Sequence, residues 1–483
     1  MLVHDALLEH LKRWGLRRFE SDAAYFQWQR ETLAPADITT LNSLAERKRS
    51  VADAPAERAF YDFTAQPHIV PVLYSQRYDY YMAVGAAVAE RIGDARVVLD
   101  FGCGVGILTT FYAAQFPDSS FIGVDRSRAS VAVARGRAVA LGVKNIRFEE
   151  MDVEQGAASG PYDLIVATHA LLQAEQDPGI PSVSWRTFER RQDSIAQSDF
   201  ERRTGLSTRL DAIRRVLGAN GRFLAFEKTR QLARRVPFQR ALAARGFRLL
   251  EPPVPLRYHL VEEVVDDGPL YALSISRGSG GPGWNESPEV VPGEALYRGT
   301  GEAARWMRNR LPARVLERED KRKLSGRGAV RAERGTAAGV LRYWLLSIDE
   351  RFRGIVVTPH GADEAGRFDR MFEEALVDSE RLEQFVDAVW PPDSQQDPAT
   401  TPLYENHAAS AQEVWESLPD RAVQRQATYE EPDGRRRHIE LGTAGGLIFL
   451  YWANTFDQRQ LVLVEPQRAA LLESYYDESC GSS

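Results

Sequence analysis

Cysteine, lysine and long apolar runs are what this chain has least of. Its 483 residues include two cysteines, Cys103 and Cys480, too few for a disulfide framework or a thiolate metal site. That usage fits a reducing compartment, so a cytoplasmic location is expected, and no metal. No stretch of 18 apolar residues occurs, so no membrane-spanning helix is expected. The opening segment MLVHDALLEHLKRWGLRRF spaces its apolar residues as an amphipathic helix does and mixes charges among them, unlike a signal peptide. An excess of positive charge is missing too: the net charge is −7, which argues against a nucleic acid as partner. Six lysines stand against 55 arginines, so arginine is the default surface cation. The 13 Arg/Lys against two acids between Arg202 and Arg248 therefore read first as a solvated face, with a patch for an acidic substrate as the alternative.

What is present is ordinary globular composition, 43% hydrophobic and 27% charged, at a length that calls for two or three domains. Residues 1–66 read as a helical N-terminal lid, from the apolar and aromatic spacing in DAAYFQWQRETL and PAERAFYDF. From 67 to 277 short apolar strands (VVLDF, FIGVD, IRFEE, DLIVAT, RFLAFE) alternate with helical segments such as SRASVAVARGRAVALG. Such alternation implies βαβ crossovers and a parallel sheet. A strand FRLLEPPVPL and a last strand LYALSISR follow, and Gly/Pro-rich GSGGPGW then reads as a linker.

The remainder repeats itself. Shifted by 107 residues, Leu296–Leu341 aligns with Leu403–Ile448 without a gap, with identities from Leu296/Leu403 and Tyr297/Tyr404 to Glu333/Glu440 and Gly339/Gly446. Arg318/Arg425 is among them, and a one-residue slip then matches Tyr343-Trp344 with Tyr451-Trp452. The shared Gly-Thr-Ala triplets at 335–337 and 442–444 suggest one turn used twice. Two α+β copies, at 295–390 and 403–478, are expected to pack together about a pseudo-twofold axis.

The chemistry concentrates in Val97-Val98-Leu99-Asp100-Phe101-Gly102-Cys103-Gly104-Val105-Gly106, a strand running through glycines into a helix. Glycines let backbone approach a ligand, and the helix N-terminus faces it. The third glycine of a dinucleotide fingerprint would fall at Ile107, which disfavours NAD and FAD. Asp100 can accept from an ammonium group. Asp125 ends the next strand 21 residues after Gly104, placed for two ribose hydroxyls. Asp152 follows Met151, so that an adenine amine could donate to the carboxylate and its ring lie on the thioether.

In this order VLDFGCGVG, FIGVDRS, EEMDVE and YDLIVATHALL resemble the motifs of class I S-adenosylmethionine-dependent methyltransferases, over about residues 67–277. The resemblance implies a doubly wound α/β fold, a seven-stranded sheet with its last strand antiparallel. It implies S-adenosyl-L-methionine as cofactor, with Gly102, Gly104 and Gly106 along the methionine and ribose, Asp100 at the methionine end, Asp125 on the ribose and Asp152 on the adenine. Cys103, Arg126, Val153 and Thr168 complete the expected cofactor contacts. Arg77 and Tyr74, in the helix before the loop, would meet the carboxylate and wall the sulfonium.

Catalysis is expected to rest on alignment, with Thr168, His169 and Glu227 beyond the fourth and fifth strands as candidates near the methyl group. His169 is a candidate general base. The insertion at about Gln173–Leu206 reads as a substrate lid, with Trp185 and Tyr78 as substrate contacts. The (N/D)PP(Y/F) motif that such enzymes use on base and glutamine amines is replaced by ATHALL, which leaves a small-molecule or protein acceptor. The C-terminal copies read as a platform for a partner protein or self-association. The rival reading is a cofactor-binding scaffold or regulator without catalysis.

Overall fold

The computed structural model describes residues 3–51, 54–152, 160–173, 177–275, 281–288, 297–310, 313–324, 326, 328–359, 363–390, 402–431 and 434–481. The chain divides into two units. The first comprises Met1–Ile180 with Gln192–Glu286; the second comprises Pro181–Arg191 with Ser287–Ser483. The short segment 181–191, inside the insertion read as a substrate lid, thus belongs with the C-terminal unit. Sequence boundaries placed by composition did not separate it.

The first unit opens with helices α1 (Val3–Arg13), α2 (Asp22–Thr32), α3 (Pro35–Val51), α4 (Ala54–Thr64), α5 (Val70–Ser75) and α6 (Tyr78–Ile92). The α/β part follows as β1 (Val97–Phe101), α7 (Ile107–Gln115), β2 (Ser120–Asp125), α8 (Arg128–Ala140), β3 (Ile146–Glu150) and β4 (Tyr162–Thr168). It continues as α9 (Ser194–Arg203), α10 (Leu206–Val216), β5 (Leu217–Phe226), α11 (Leu232–Ala244), β6 (Arg248–Leu249), β7 (Val254–Leu260) and β8 (Glu263–Ser274). The strand order is β3-β2-β1-β4-β5-β8-β6, parallel from β3 to β5, with β8 antiparallel to β5. This is the doubly wound seven-strand order. One further strand, β7, pairs with the first half of β8. The segment expected as one strand, FRLLEPPVPL, is split because Pro252 and Pro253 have no N–H to extend a ladder.

Alternation along the central strands feeds two cores. Val98, Leu164, Val166 and Leu224 face a cluster containing α1, α6 and α7 residues, while Leu99, Phe101, Ile165 and Phe223 face one built with α9–α11. Gly85 lets α1 close on α6: a Cβ there would stand 2.9 Å from Leu7 Cδ2 and 2.8 Å from Leu108 Cδ2.

In the second unit β9 (Tyr297–Thr300), α12 (Gly301–Arg310), β10 (Ala313–Leu324), β11 (Gly328–Ala337), β12 (Leu341–Ile348), β13 (Arg351–Pro359), α13 (Asp363–Val377) and α14 (Ser379–Val389) come first. Then follow β14 (Tyr404–Asn406), α15 (Ser410–Ser417), β15 (Ala422–Glu430), β16 (Arg436–Ala444), β17 (Leu447–Asn454), β18 (Arg459–Val464) and α16 (Ala469–Gly481). The two antiparallel sheets run β10-β11-β12-β13-β9 and β15-β16-β17-β18-β14, the same order in each. Each outer hairpin has a register shift at the matching place, between Val315 and Glu317 and between Val423 and Arg425. Residues of both sheets, Tyr343, Leu345 and Tyr451 among them, share one hydrophobic core.

Three details differ from expectation. The Gly-Thr-Ala triplets are strand ends, not turns. Gly335 and Gly442 are required because a Cβ would stand 2.4 Å from Arg314 O and 2.3 Å from Ala422 O on the paired strand, with the Tyr343 hydroxyl and the Phe449 ring next at 2.8 and 2.9 Å. The turns come next, at Ala338–Val340 and at Gly445–Gly446. Because the second turn is one residue shorter, register places Tyr343 opposite Gly335 where Phe449 stands opposite Gly442, so Tyr343-Trp344 does not correspond to Tyr451-Trp452. Strand β15 is offset by one residue from its first pair, Ala422 opposite Thr443 where Arg314 stands opposite Thr336, which puts Gln426, not Arg425, in the place of Arg318.

Candidate active site

The glycine loop leaves β1 in a left-handed course, with φ of 78° at Gly102, 53° at Gly104 and 81° at Gly106, a region that side chains resist. Gly102 and Cys103 N–H both donate to Val124 O, at 2.9 and 3.0 Å, which ties the loop to the end of β2. A Cβ on Gly102 would stand 2.4 Å from Ala170 Cβ. A Cβ on Gly104 would meet nothing within 4 Å, so the loop opens there onto free space.

Asp125 sits beside that opening. Its Oδ2 accepts from Gly104 N–H at 2.9 Å and its Oδ1 from Ser127 N–H at 2.8 Å, and each oxygen keeps a lone pair. Burial raises its pKa against those two bonds. Asp100 Oδ2 accepts from Thr109 Oγ1 at 2.6 Å, and burial pushes its pKa up to about 6. Both acids line one cleft with Tyr74, Arg77, Cys103, Arg126, Met151, Thr168 and His169.

The same cleft has a cationic and aromatic part. Arg77 lies over the Tyr80 ring, its guanidinium carbon 4.2 Å from the ring centroid, and its Nη2 donates to His169 Nδ1 at 2.8 Å. Among the described residues no carboxylate lies within ion-pair distance of it. Tyr61, Tyr74 and Tyr81 complete this part. Helix α4 reaches over the loop residues at the other end: Glu57 accepts from Arg126 at 3.1 Å, Arg58 donates to Asp152 at 3.3 Å, and Asp62 accepts from Ser127 Oγ at 2.6 Å.

Several expected residues stand elsewhere. Gly106 is the N-cap of α7, with Phe148 2.8 Å from where its Cβ would be. Asp152 pairs with Arg58 and is not among the cleft's lining residues. Val153 lies outside the described residues. Glu227, expected near the methyl group, is buried behind the lining: its Oε1 accepts from Ala170 and Leu171 N–H at 2.7 and 2.5 Å. It therefore anchors the loop that carries His169, and burial pushes its pKa up to about 7. Tyr78, expected at the substrate, is turned about a quarter of the helix away from Arg77 and is buried in the core that includes α1. Trp185, expected likewise, stacks on His438 within the second unit, ring centroids 3.7 Å apart.

The arginine-rich stretch is not simply a solvated face. Arg209, Arg234 and Arg235 are buried, and Arg209 lines the cleft while donating to Leu171 O at 2.9 Å. Sequence reasoning missed Glu57, Tyr61 and Arg209. The helical spacing of PAERAFYDF carried the only signal for the first two, and it does not say which neighbour the face meets.

Residues 92–236 match a family model described as a methyltransferase domain. The first unit carries a class I methyltransferase domain, and S-adenosylmethionine is its cofactor. The chain is 34% identical over 88 residues to trans-aconitate 2-methyltransferase of Deinococcus radiodurans, covering 18% of this chain and 32% of that protein. It is 25% identical over 142 residues to release factor glutamine methyltransferase of Aliivibrio fischeri, covering 29% and 50%. The chain thus spans a third to a half of the length of these relatives. Among solved structures, magnesium protoporphyrin IX methyltransferase from Synechocystis aligns at 17% identity and a TM-score of 0.29, covering 42% of this chain and 81% of that one.

The methyltransferase cleft fits the amino-acid end of such a cofactor. A zwitterion presents an ammonium and a carboxylate, and the cleft is lined by both buried Asp100 and the unmatched Arg77 guanidinium. No helix among the described residues is long and apolar enough to cross a membrane.

Proposed function

We propose that this chain transfers a methyl group from S-adenosylmethionine to a small-molecule or protein acceptor in the cytoplasm. The observation that carries the reading is the half-buried Arg77 guanidinium, set without a carboxylate partner among the described residues in the same cleft as Asp100 and Asp125. A cation drawn part-way out of water is stabilised when an anion meets it, and the cofactor's carboxylate is such an anion.

When bound, the cofactor supplies an already activated methyl group, so the chain has to orient, enclose and exclude water. Asp125 accepts from the ribose, Asp100 when ionised accepts from the ammonium, and Met151 in the cleft lining offers its thioether to the adenine. The tyrosine faces of residues 74, 80 and 81 suit a neighbouring sulfonium. Thr168 and His169, at the carboxyl end of β4, border the acceptor side, where ligands bind in sheets of this kind.

The second unit is read as a duplicated α+β module serving as a platform for a partner or for self-association. Common strand order, the shared register shift and the glycine beneath an aromatic ring support the duplication. Incubating the purified chain with tritiated S-adenosylmethionine and a cell lysate tests the whole. Label appearing on a protein or small molecule supports transfer. Cofactor binding with no label on any component would favour the scaffold reading.

A further inference from the structure

His169 was the residue most open to a catalytic reading, and its surroundings restrict what it can do. Its ring packs against Tyr80 and Phe226, with centroids 5.2 and 5.1 Å away and interplanar angles of 26° and 28°, and those two rings lie 6.3 Å from each other. Its backbone takes a φ of 53°, held by His169 N–H donating to Phe226 O at 2.8 Å and by Glu227 gripping the next two amides. An arginine side chain has only N–H donors, so Nδ1, 2.8 Å from Arg77 Nη2, must be the accepting nitrogen. In the neutral ring the proton then sits on Nε2. That nitrogen lies 3.1 Å from Asp267 Oδ2, off the hydrogen-bond axis, and the same oxygen accepts from the Tyr258 hydroxyl.

A general base needs a free lone pair. The one lone pair on this ring points at a guanidinium, and a proton taken there would set two cations 2.8 Å apart. Burial is the main reason that the pKa of His169 falls to about 4, with Arg77 acting in the same direction and Asp267 opposing. The ring is thus neutral and accepting under ordinary conditions, which is the state that Arg77 requires.

We propose that His169 is a positioning residue, not a base: Asp267 orients its ring, and Nδ1 holds the Arg77 guanidinium over Tyr80, ready for the cofactor's carboxylate. Asp267–His169–Arg77 is then a relay of orientation reaching from β8 to the cleft. This rests on the S-adenosylmethionine reading of the cleft.

Two probes separate the proposal from that reading. S-adenosylhomocysteine carries the amino-acid carboxylate; 5′-methylthioadenosine has the same adenosine and thioether without it. Calorimetry on the full chain compares wild type, His169→Phe and His169→Asn. Phenylalanine keeps the aromatic stack but has no acceptor, whereas asparagine tolerates the positive φ and presents an accepting oxygen. His169→Phe is expected to weaken S-adenosylhomocysteine about tenfold, as for a lost bond to a charged group, and to leave 5′-methylthioadenosine within about twofold. His169→Asn is expected to recover most of the loss. Adding His169→Phe to Arg77→Ala should cost nothing further.

Equal loss of both probes in His169→Phe would make the residue structural and overturn the proposal. Unchanged binding of both would overturn it too, and a loss of methyl transfer alone would then point back to a base. Wild-type protein that binds neither probe removes the cofactor reading and this proposal together. If His169→Phe does not fold, His169→Asn with Arg77→Ala still decides: the proposal fails if asparagine discriminates between the probes as the arginine variant does.

Discussion

Buried charge is handled differently in the two units. In the second, Glu333 is almost fully buried and completely matched: Tyr343 Oη donates to it at 2.9 Å, Arg318 donates twice at 3.0 and 2.5 Å, and Arg308 lies 3.3 Å away. In the first, Arg77 meets a neutral imidazole and an aromatic face, and Asp100 meets one hydroxyl. Matched charge holds architecture together. Charge left for something else to match marks a site for a ligand. Glu440 lies between the cases: it occupies Glu333's place in the second copy, Gln426 replaces the arginine opposite, one oxygen meets His438 at 2.8 Å, and the other is buried without a hydrogen-bond partner among the described residues.

The comparison breaks most visibly where the chain passes between the units. A protein stopped after Glu286 keeps residues 181–191 but loses what they hold in the second unit: His438 under Trp185, Asp457 paired with Arg190, and Arg459 over Phe188. Such a truncation is expected to aggregate. Replacing 181–191 by a short Gly/Ser linker should return soluble protein that still binds cofactor, as size-exclusion chromatography and calorimetry would read. Soluble protein without the replacement would show that the segment does not need the second unit.

Next in size is Glu333→Ala. Removing the carboxylate strands two arginines and a buried tyrosine hydroxyl, and about 3 kcal/mol of stability should go, the arginines' partial exposure holding the loss at the low end for a broken buried pair. Urea unfolding of the full chain, followed by tryptophan fluorescence, measures it.

Asp100 predicts a smaller, pH-dependent effect. Its pKa in the free protein is raised to about 6, and an ammonium partner favours the ionised form, so cofactor affinity is present above that pH and lost as pH falls through it. The loss should reach about tenfold per pH unit, and Asp100→Asn should flatten the profile. For folding without ligand the sign reverses. Burial favours the protonated acid, so its contribution to stability is full below the unfolded value and declines as pH rises through about 6. The smallest effect belongs to Glu440→Gln: with one oxygen already unmatched, stability should change by less than about 1 kcal/mol. A loss equal to that of Glu333→Ala would erase the distinction between the copies.

Much of the first unit was legible because its chemistry is local. Asp100, the glycines and Asp125 are placed by a strand, its turn and the next strand, and backbone rules for those three pieces are short-range. Arg209 was not legible: a buried arginine and a solvated one look alike in a run of arginines. Trp185 was misplaced for a related reason. A lid sequence says that a loop projects, not that its tryptophan stacks on a histidine some 250 residues on. In the second unit the repeat was visible, but identity matching followed Arg425 and Tyr451, whereas register follows the one-residue offset at the start of β15 and the shorter turn. Gly335 and Gly442 looked like turn residues because a glycine that makes room for a carbonyl and a ring of the paired strands has no separate signature in sequence.

The central claim is that the unmatched groups of the first unit await S-adenosylmethionine, with Asp125 on its ribose. Titration calorimetry of S-adenosylmethionine into the wild-type chain and into Asp125→Ala tests it most directly. Two hydrogen bonds to an ionised carboxylate predict at least about a tenfold weaker affinity in the variant with the fold intact. Equal affinities in the two proteins, or no binding to the wild type, would contradict the account.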